Sequence, residues 1–519
     1  MPSSSLRDAL YVRETGYNTA VTTYVTRIDV GSARVQGALP DGSMSADGSK
    51  LYHVEAIDGA TRTRIDEIDT ETGDTQRSFT IDGDWVLAQS NDGPIGTSAD
   101  GRWLVLARSA VKIDNEWMSG LAIVDLRSGA LRASNEYRGA TTLAVLGIAS
   151  AGDAVAVAQY GGGESRLRIW DVASRDLVPG VEAPIDGFMS APVRSKDGAR
   201  LYFLESGGGS ARPSIRTVDL GSRRISQTDL PGVQSSSDFE KSMLWSLALS
   251  PDGATLYAVD PALGWIDEID ATTPTMNVKR SARIPVASED DPPAALRALF
   301  PIAEAKRYVR GGARLSPDGR TLYAAGTTGL VVIDATSLRE RTMWARDLSF
   351  DSLGLAPDGT RLYAVDDSSR NIVVLSALDG SLLETMHQEL APMDVVRVEA
   401  ARDVLLAPAP PAPCNVFLTP PDPHVPAEIQ HLKTSATVVA VESACTVRAR
   451  ISGGQGTLER FSGRDVVLRA TDATTFASAS KGDLDAIGGM RLEPGETFTL
   501  SFDSRAFPDG SYPVNYMDR

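Results

Sequence analysis

A short turn of the form Ser-x-Asp-Gly recurs along most of this chain and restricts the folds that the chain can adopt. Copies begin at Ser45, Ser98, Ser195, Ser250, Ser316 and Ala356, and a degenerate SAGD copy occupies 150–153. The Asp side chain bonds its own backbone and Gly takes the left-handed conformation, so each copy predicts a tight turn between two strands. Successive copies begin 40 to 66 residues apart, which is the spacing of a repeat protein.

The residues after each turn predict the same set of strands in every copy. An apolar run such as LYHVE from Leu51 or LYAVD from Leu256 comes first, and a later run ends in an apolar residue followed by Asp. These final residues are Asp69, Asp125, Asp171, Asp219, Asp270 and Asp334, with Ser376 in their place in the seventh copy. Each repeat therefore predicts a four-stranded antiparallel meander, which is the blade of a β-propeller.

The two ends of the repeat region predict how the ring closes. YVTRID, ending at Asp29, precedes the first turn, and DVVRVEAARDVLLAP at 394–408 resembles a first strand and a possible second one. Leu10-Tyr11-Val12 also resembles a second strand, so either end offers that strand. We expect an all-β chain with an eight-bladed propeller, or alternatively a seven-bladed one, closed by pairing of N- and C-terminal strands, which removes exposed sheet edges.

The repeat resembles a known family of propeller repeats. The SPDG turn, the LYV-like strand after it and the apolar-Ile-Asp strand end are similar to YVTN-type and lactonase-like repeats of bacterial surface proteins, over about residues 8 to 408. The resemblance implies the blade architecture. Its relatives include binding scaffolds, lactone hydrolases and domains of redox enzymes, so it implies no single activity.

Composition and charge exclude several classes of partner. The chain has 51 Lys and Arg against 68 Asp and Glu, a net charge of −17, which disfavours nucleic acid and anionic membranes. It contains no apolar stretch of the roughly 20 residues that a membrane span needs. MPSSSLRDALYVRETG lacks the basic and apolar regions of a secretion signal. The protein is cytoplasmic, or it is extracellular, cell-surface or periplasmic with its signal removed; the resemblance favours the second.

The meander places its connections on two faces of the ring. Turns from strand one to two and from three to four share the turn face, whereas the connections from two to three and from four to one share the long-loop face. Variable loops on a rigid ring commonly form binding surfaces. Residues four to six positions before each turn should line the mouth of the central channel on the long-loop face: Asp41, Ser190, Trp245, Ser246, Arg310, Asp351 and Ser352, with Asp394 in the C-terminal fragment.

These channel residues are suited to binding more than to any one reaction. Carboxylates, a guanidinium and an indole around one axis fit a cation, a sugar or a polar peptide, although a hydrated channel without a ligand needs no special cause. Hydrolysis requires one carboxyl group with a raised pKa beside another that stays ionised. With 2 Cys and 4 His a metal centre is hard to build, so we expect no cofactor. The acidic run 289–291 is a possible calcium ligand set or a solvated loop.

The composition changes after the repeats. A Pro-rich linker at 409–413 precedes residues 414–519, whose short alternating runs and turns predict a small Ig-like β-sandwich. Cys414 and Cys445 lie near the starts of two of these runs. They form either a disulfide, in an oxidising compartment, or two reduced core thiols.

Two functions follow as hypotheses. The first is a non-catalytic, secreted or cell-surface propeller that binds a protein, glycan or small polar ligand through its long-loop face. The alternative is a lactonase-like or other hydrolase that uses the carboxylates at the channel mouth. The sequence indicates no oligomeric state.

Overall fold

The computed structural model describes the strands and most turns of the chain. The described residues are 8–14, 24–30, 34–40, 42–57, 61–90, 93–94, 96–113, 116–138, 142–160, 164–190, 192–207, 212–231, 244–273, 275–284, 312–327, 329–346, 348–366, 371–386, 392–400, 417–419, 431–443, 446–452, 463, 465–469, 494–495, 497–503 and 512–518. Within these ranges no helix has the length and apolar character to cross a membrane.

The chain divides into two compact units. The first comprises Met1–Glu14, Val25–Arg34 and Leu39–Leu406, and the second comprises Thr15–Tyr24, Val35–Ala38 and Ala407–Arg519. The first unit is an eight-bladed β-propeller, as the turn spacing predicts, and the predicted alternative of seven blades is wrong.

Three strands open the chain, and blades 1 to 4 follow them. The opening strands are β1 (Asp8–Glu14), β2 (Tyr24–Asp29) and β3 (Arg34–Pro40). Blade 1 contains β4 (Ser43–Met44), β5 (Lys50–Ile57), β6 (Arg62–Asp69) and β7 (Thr75–Asp82). Blade 2 contains β8 (Val86–Leu87), the small pair β9 (Gln89–Ser90) and β10 (Gly93–Pro94), β11 (Trp103–Ile113), β12 (Glu116–Asp125) and β13 (Ala130–Arg138). Blade 3 contains β14 (Thr142–Ile148), β15 (Ala154–Tyr160), β16 (Arg166–Asp171) and β17 (Asp176–Pro184). Blade 4 contains β18 (Gly187–Met189), β19 (Val193–Arg194), β20 (Arg200–Gly207), β21 (Ser214–Asp219) and β22 (Arg224–Asp229).

Blades 5 to 7 are regular four-stranded meanders. Blade 5 contains β23 (Ser246–Leu249), β24 (Thr255–Asp260), β25 (Trp265–Asp270) and β26 (Asn277–Arg283). Blade 6 contains β27 (Gly312–Leu315), β28 (Thr321–Gly326), β29 (Gly329–Asp334) and β30 (Arg339–Trp344). Blade 7 contains β31 (Phe350–Leu355), β32 (Arg361–Asp366), β33 (Ile372–Ser376) and β34 (Leu382–Met386).

Blade 8 is a composite of the two ends of the repeat region. β35 (Pro392–Ala400) is its innermost strand and is followed outward by β1, β2 and β3. The ladder pairs Leu10 with Val398 and Tyr11 with Arg397. The N-terminal segment therefore supplies the second strand, which settles the alternative that the sequence leaves open.

Hydrophobic side chains fill each of the eight interfaces between neighbouring blades. One cluster joins Tyr363 and Val365 of blade 7 to Leu10 of blade 8. Another joins Tyr11 of blade 8 to Leu51 of blade 1, so the ring is closed. The six remaining interfaces, from blades 1 and 2 to blades 6 and 7, have equivalent clusters. Burial of apolar surface between blades is the main favourable term in such a ring.

The repeated turn has the hydrogen bonds that its sequence predicts. In blade 1 the amide of Gly48 donates to the carbonyl of Ser45 at 2.9 Å. Asp47 Oδ1 accepts the backbone amide of Ser49 at 3.1 Å and the Ser45 hydroxyl at 2.7 Å. Gly48 has φ = 73°, in the region that favours glycine. The hydrogen bond from Ser45 lowers the pKa of Asp47.

Blade 3 corrects the predicted register of one turn. The amide of Gly152 donates to the carbonyl of Ala149 at 2.8 Å, and that of Ala149 donates to the carbonyl of Ala154 at 2.9 Å. The equivalent turn is therefore ASAG at 149–152 and not SAGD at 150–153. The left-handed glycine, with φ = 66°, fixes the register, whereas the aspartate gives no such restraint.

The predicted strand ends are confirmed. Strands β6, β12, β16, β21, β25 and β29 end at the marked aspartates, and β33 ends at Ser376. Asp69 Oδ1 accepts the amides of Glu71 and Thr72 at 2.8 and 2.9 Å, which turns the chain into the fourth strand.

The second unit forms a closed barrel from its described strands, whereas the sequence predicts a sandwich. Its strands are β36 (Phe417–Thr419), β37 (His431–Ser443), β38 (Thr446–Ser452), β39 (Asp465–Arg469), β40 (Thr497–Asp503) and β41 (Tyr512–Asp518), in the order β36-β39-β38-β37-β40-β41. The barrel closes because β36 pairs with both β39 and β41. Alternating strands suit either architecture, so edge pairing decides between them. Cys414, Cys445 and the linker 409–413 lie outside the described residues.

Candidate functional site

Side chains of each innermost strand alternate between the two neighbouring blades. In blade 5, Leu247 packs in the cluster with blade 4, whereas Ala248 packs in the cluster with blade 6. A residue in these strands therefore reaches the central channel only where a long polar side chain extends past the facing blade, or where the strand begins at the long-loop face.

Blades 7 and 8 bring two of the expected channel residues together. The Ser352 hydroxyl donates to Asp394 Oδ1 at 2.7 Å and accepts the amide of Val395 at 3.0 Å. Asp394 Oδ2 lies 3.7 Å from Nη1 of Arg13, the residue opposite Asp394 in the β1–β35 ladder. Ser352 is buried, whereas Asp394 is half-buried. A hydroxyl, a carboxylate and a guanidinium are thus held together where the first two strands of blade 8 meet the long-loop face.

Arg314 adds a positive charge to the channel wall. It lies in the innermost strand of blade 6, donates to the carbonyl of Ala313 at 2.9 Å and has a solvent-exposed side chain. Protein atoms surround the guanidinium, so desolvation lowers the pKa of Arg314, and the charge of Asp394 partly offsets this. The electrostatic influence of Asp394 therefore reaches blade 6. Asp351, one residue before Ser352, is half-buried near the start of β31, the innermost strand of blade 7.

A second arginine crosses the channel wall nearer the turn face. Arg194 Nη1 donates to the carbonyl of Thr97 at 3.0 Å, which joins blade 4 to blade 2. Blade 3 lies between these two blades, so the side chain passes along the inner edge of blade 3. Burial lowers the pKa of Arg194. The Thr97 hydroxyl donates in turn to the carbonyl of Met44 in blade 1 at 2.6 Å, so polar contacts link the inner strands of blades 1, 2 and 4.

The other expected channel residues have different surroundings. Trp245 is 2% exposed and packs between blades 4 and 5, because its position in the alternation faces blade 4 and not the axis. Ser246, 7% exposed, donates to the carbonyl of Leu244 at 3.4 Å. The Ser190 hydroxyl accepts the amide of Leu204 at 2.9 Å and thereby ties its segment to β20. Asp41 and Arg310 lie outside the described residues.

Three arginines of the wall are not among the residues that the sequence marks. The position of Arg13 in the channel wall follows only from the pairing of the two ends of the repeat region. Arg194 and Arg314 lie one and two positions before their turns. The sequence does contain a signal for the last two. Small or apolar residues occupy the same positions in several other blades, for example Ile148 and Gly354, so an arginine there interrupts the repeat.

The described residues contain no candidate metal site, and their candidate cleft lies away from the channel mouth. No group of three or more His, Cys, Asp or Glu side chains in this part of the chain is arranged to hold a metal ion. The acidic run 289–291 lies outside it. A cleft of about 520 Å³ on the turn face includes Lys50, Glu67 and Arg77, but both cations are paired with Glu67.

Comparison with known proteins assigns the chain to no family and gives no activity. No protein-family model matches the chain, and no curated protein matches it. Solved structures similar to it include a dihydro-heme d1 dehydrogenase, NirN, at 14% identity and a TM-score of 0.44, over 76% of this chain and 75% of that one. AztD from Citrobacter koseri matches at 12% identity and a TM-score of 0.41, over 76% and 97%. A 6-phosphogluconolactonase candidate from Bacteroides fragilis matches at 14% and 0.35, over 69% and 99%.

The chain is an eight-bladed β-propeller, and its structural neighbours include lactonase-like and haem-related propeller proteins.

Proposed function

We propose that this protein is a non-catalytic, secreted or cell-surface propeller that binds a ligand at the channel mouth of its long-loop face. The observation that carries this proposal is the cluster of Ser352, Asp394 and Arg13, with Arg314 beside it on the channel wall. A polar compound with hydroxyl groups and one anionic group matches this set. Its hydroxyl groups can hydrogen-bond Ser352 and Asp394, and its anionic group can bind a guanidinium. A glycan or a polar peptide segment can present the same groups.

The placement of the desolvated carboxyl groups favours binding over hydrolysis. Burial raises the pKa of Asp260 to about 7 and that of Asp267 to about 6. Both are 0% exposed and lie between blades, where no substrate reaches them. In the described part of the channel, the carboxylate of Asp394 instead lies beside an arginine and accepts a serine hydroxyl.

The test uses a defined panel of probes. Thermal unfolding is measured with hexoses, amino acids, hydroxy acids, sugar phosphates and lactones, each added in excess. We expect at least one class of compound to raise the unfolding midpoint of the wild-type protein. The same compounds should leave the midpoint of a Ser352→Ala, Asp394→Asn double variant unchanged. Ser246→Ala is the matched control, because Ser246 has the equivalent place in blade 5 and its hydroxyl donates to a backbone carbonyl instead of a carboxylate. A panel without effect, or an effect that survives the double variant, contradicts the proposal.

The hydrolase alternative is tested on the same panel. It requires turnover of a lactone or glycoside that Asp351→Asn or Asp394→Asn abolishes. Turnover with this sensitivity would establish the alternative and exclude the non-catalytic function.

A further inference from the structure

Two aspartates lie inside the interface between blades 4 and 5, apart from the channel. Asp260 and Asp267 are both 0% exposed. Asp260 Oδ1 accepts the amides of Ala262 and Leu263, each at 2.8 Å, and Asp267 Oδ1 accepts the Ser281 hydroxyl. Their Oδ2 atoms are buried and have no hydrogen-bond partner among the described residues. A buried carboxyl oxygen without a partner is strongly destabilising when ionised.

The two side chains share one face of blade 5. On strand β25, Asp267 lies opposite Ala258 of strand β24. Asp260 is two residues after Ala258 on β24 and lies opposite Trp265 of β25. Ala258 and Trp265 both belong to the cluster with blade 4, so both carboxyl groups face blade 4. Trp245 belongs to the same cluster and comes directly before Ser246, which the ladder pairs with Val259, the neighbour of Asp260. Its Nε1 is also buried and has no partner in the described part of the chain.

Blade 1 contains the same arrangement with a cation added. There Arg64 donates from Nη2 to Glu55 Oε2 at 2.6 Å and from Nε to Asp66 Oδ2 at 3.1 Å. Glu55 lies opposite Arg64, as Asp260 lies opposite Trp265 in blade 5. The Ser78 hydroxyl donates to Asp66 as that of Ser281 does to Asp267. Blade 5 therefore retains the two carboxyl groups and replaces their shared arginine by tryptophan.

No described cation takes the place of that arginine. The guanidinium of Arg283 lies over the ring of Trp265, 4.8 Å from its centre. The charged and titratable side chains of blade 4 that face this interface lie near the turn face, at the other end of the strands from Asp260. They are Arg200, Tyr202, Asp219 and Arg224. Arg200 is held there by the carbonyl of Ala271 at 2.7 Å. Desolvation consequently raises the pKa of Asp260 to about 7 and that of Asp267 to about 6, against the opposing hydrogen bonds from backbone amides and Ser281.

We propose that Asp260 and Asp267 form a proton-binding site in the interface of blades 4 and 5, where protons replace the arginine of blade 1 and ordered water joins the carboxyl groups to Trp245. A protonated Oδ2 and the indole N–H are both donors, so the water that they share supplies the acceptor that this cluster lacks. The site is separate from the channel ligand and does not depend on it.

The site makes the interface more stable in mild acid. Each carboxyl group is neutral in both states below its unfolded pKa of about 4. As the pH rises, the unfolded chain ionises first while the folded protein keeps its protons, so the stabilisation declines until the folded pKa is passed. For Asp260 this decline extends from about pH 4 to about pH 7.

The test is infrared difference spectroscopy of the full chain. At about pH 5.5 ordinary aspartates are ionised, so the carbonyl stretch of a protonated carboxylic acid stands apart from the carboxylate bands. We expect this band in the wild-type protein, with one component lost in Asp260→Asn and another in Asp267→Asn. Asp66→Asn is the matched control and should leave the band unchanged, because Arg64 pairs with Asp66. Trp245→Phe should shift the Asp260 component without removing it.

A second measurement does not depend on spectral assignment. The unfolding midpoint of Asp260→Asn minus that of the wild type should increase between about pH 4 and about pH 7 and then level off, whereas the same difference for Asp66→Asn should not increase. Asparagine keeps the shape of a neutral aspartic acid and its Oδ1 acceptor, so both variants are expected to fold. Absence of a band sensitive to either substitution, or a pH-independent difference for Asp260→Asn, overturns the proposal.

Discussion

Replacing Asp8 should open the propeller at the place where its two ends meet. Asp8 belongs to β1 and is 2% exposed. Its Oδ2 accepts Nε of Arg361 at 2.8 Å and also the Tyr363 hydroxyl, both from blade 7. Burial and the Asp8 carboxylate raise the pKa of Tyr363. This one carboxylate therefore accepts two hydrogen bonds across the interface of blades 7 and 8, one from a buried hydroxyl and one from a partly buried guanidinium.

The expected loss follows from the burial of the pair. Removing one partner of a buried ion pair costs about 3 to 5 kcal/mol, because the other charge stays buried. Arg361 keeps 15% of its side chain exposed and has a second carboxylate, Asp358, at 3.5 Å, which places Asp8→Ala near the lower limit. The unpaired hydroxyl of Tyr363 adds about 1 kcal/mol. We expect about 4 kcal/mol in total. With an unfolding entropy of about 2.1 cal/mol/K for each of about 400 propeller residues, the midpoint should fall by about 5 °C.

The assay compares this junction with an ordinary one. The Tyr323 hydroxyl donates to the carbonyl of Ala377 at 3.0 Å and ties blade 6 to blade 7 in the same way, but without charge. Tyr323→Phe should cost only about 1 kcal/mol. Hydrogen exchange should accelerate selectively in β1 and β35 of Asp8→Ala, because opening begins at the junction of the chain ends.

Two results would refute this reasoning. One is a loss of stability in Asp8→Ala no larger than that in Tyr323→Phe. The other is an increase in exchange spread evenly over all blades, since that would mean that the composite blade is not the weak point of the ring.

Two further predictions concern backbone conformations that the repeat imposes. Arg175 and Arg223 have φ values of 57° and 56° at the turn before the fourth strand of their blades. Glycine adopts this conformation without a steric penalty, so Arg175→Gly should raise the free energy of unfolding by about 0.5 to 1 kcal/mol, measured by chemical unfolding. Arg223→Gly should instead lower stability, since Nη2 of Arg223 bonds Asp153 Oδ2 at 3.0 Å, and equal gains in both variants would contradict this account. Gly329→Ala should lower stability by about 2 kcal/mol or more, because φ is 102° and the new Cβ would lie 2.4 Å from the carbonyl oxygen of Trp344; unchanged thermal unfolding would show that the backbone relaxes.

Local chemistry in the sequence predicts the blades well. The turn at Ser45 needs only its own serine, aspartate and glycine, and Asp69 needs only the amides that follow it. Contacts between residues a few positions apart depend little on the rest of the chain, so the same letters predict the same hairpin in blade after blade.

The candidate site is only partly predictable for the opposite reason. Ser352 and Asp394 are 42 residues apart, and their hydrogen bond exists because two blades adjoin. Trp245 has the sequence position of a channel residue, yet the alternation of its strand turns it into the core between blades 4 and 5. A sequence repeat gives a residue's height along the axis, but the direction of its side chain depends on packing against the next blade.

By itself, the sequence determined the strands, the turns and their repetition, because these depend on neighbours along the chain. Only the tertiary structure decided that the N-terminal segment supplies the second strand of blade 8, that Arg13 reaches Asp394, and that Asp260 and Asp267 are enclosed between blades 4 and 5. Closure of the ring decides the first two, since it pairs residues separated by hundreds of positions. Packing of blade 5 against blade 4 decides the third, because it removes both carboxyl groups from water.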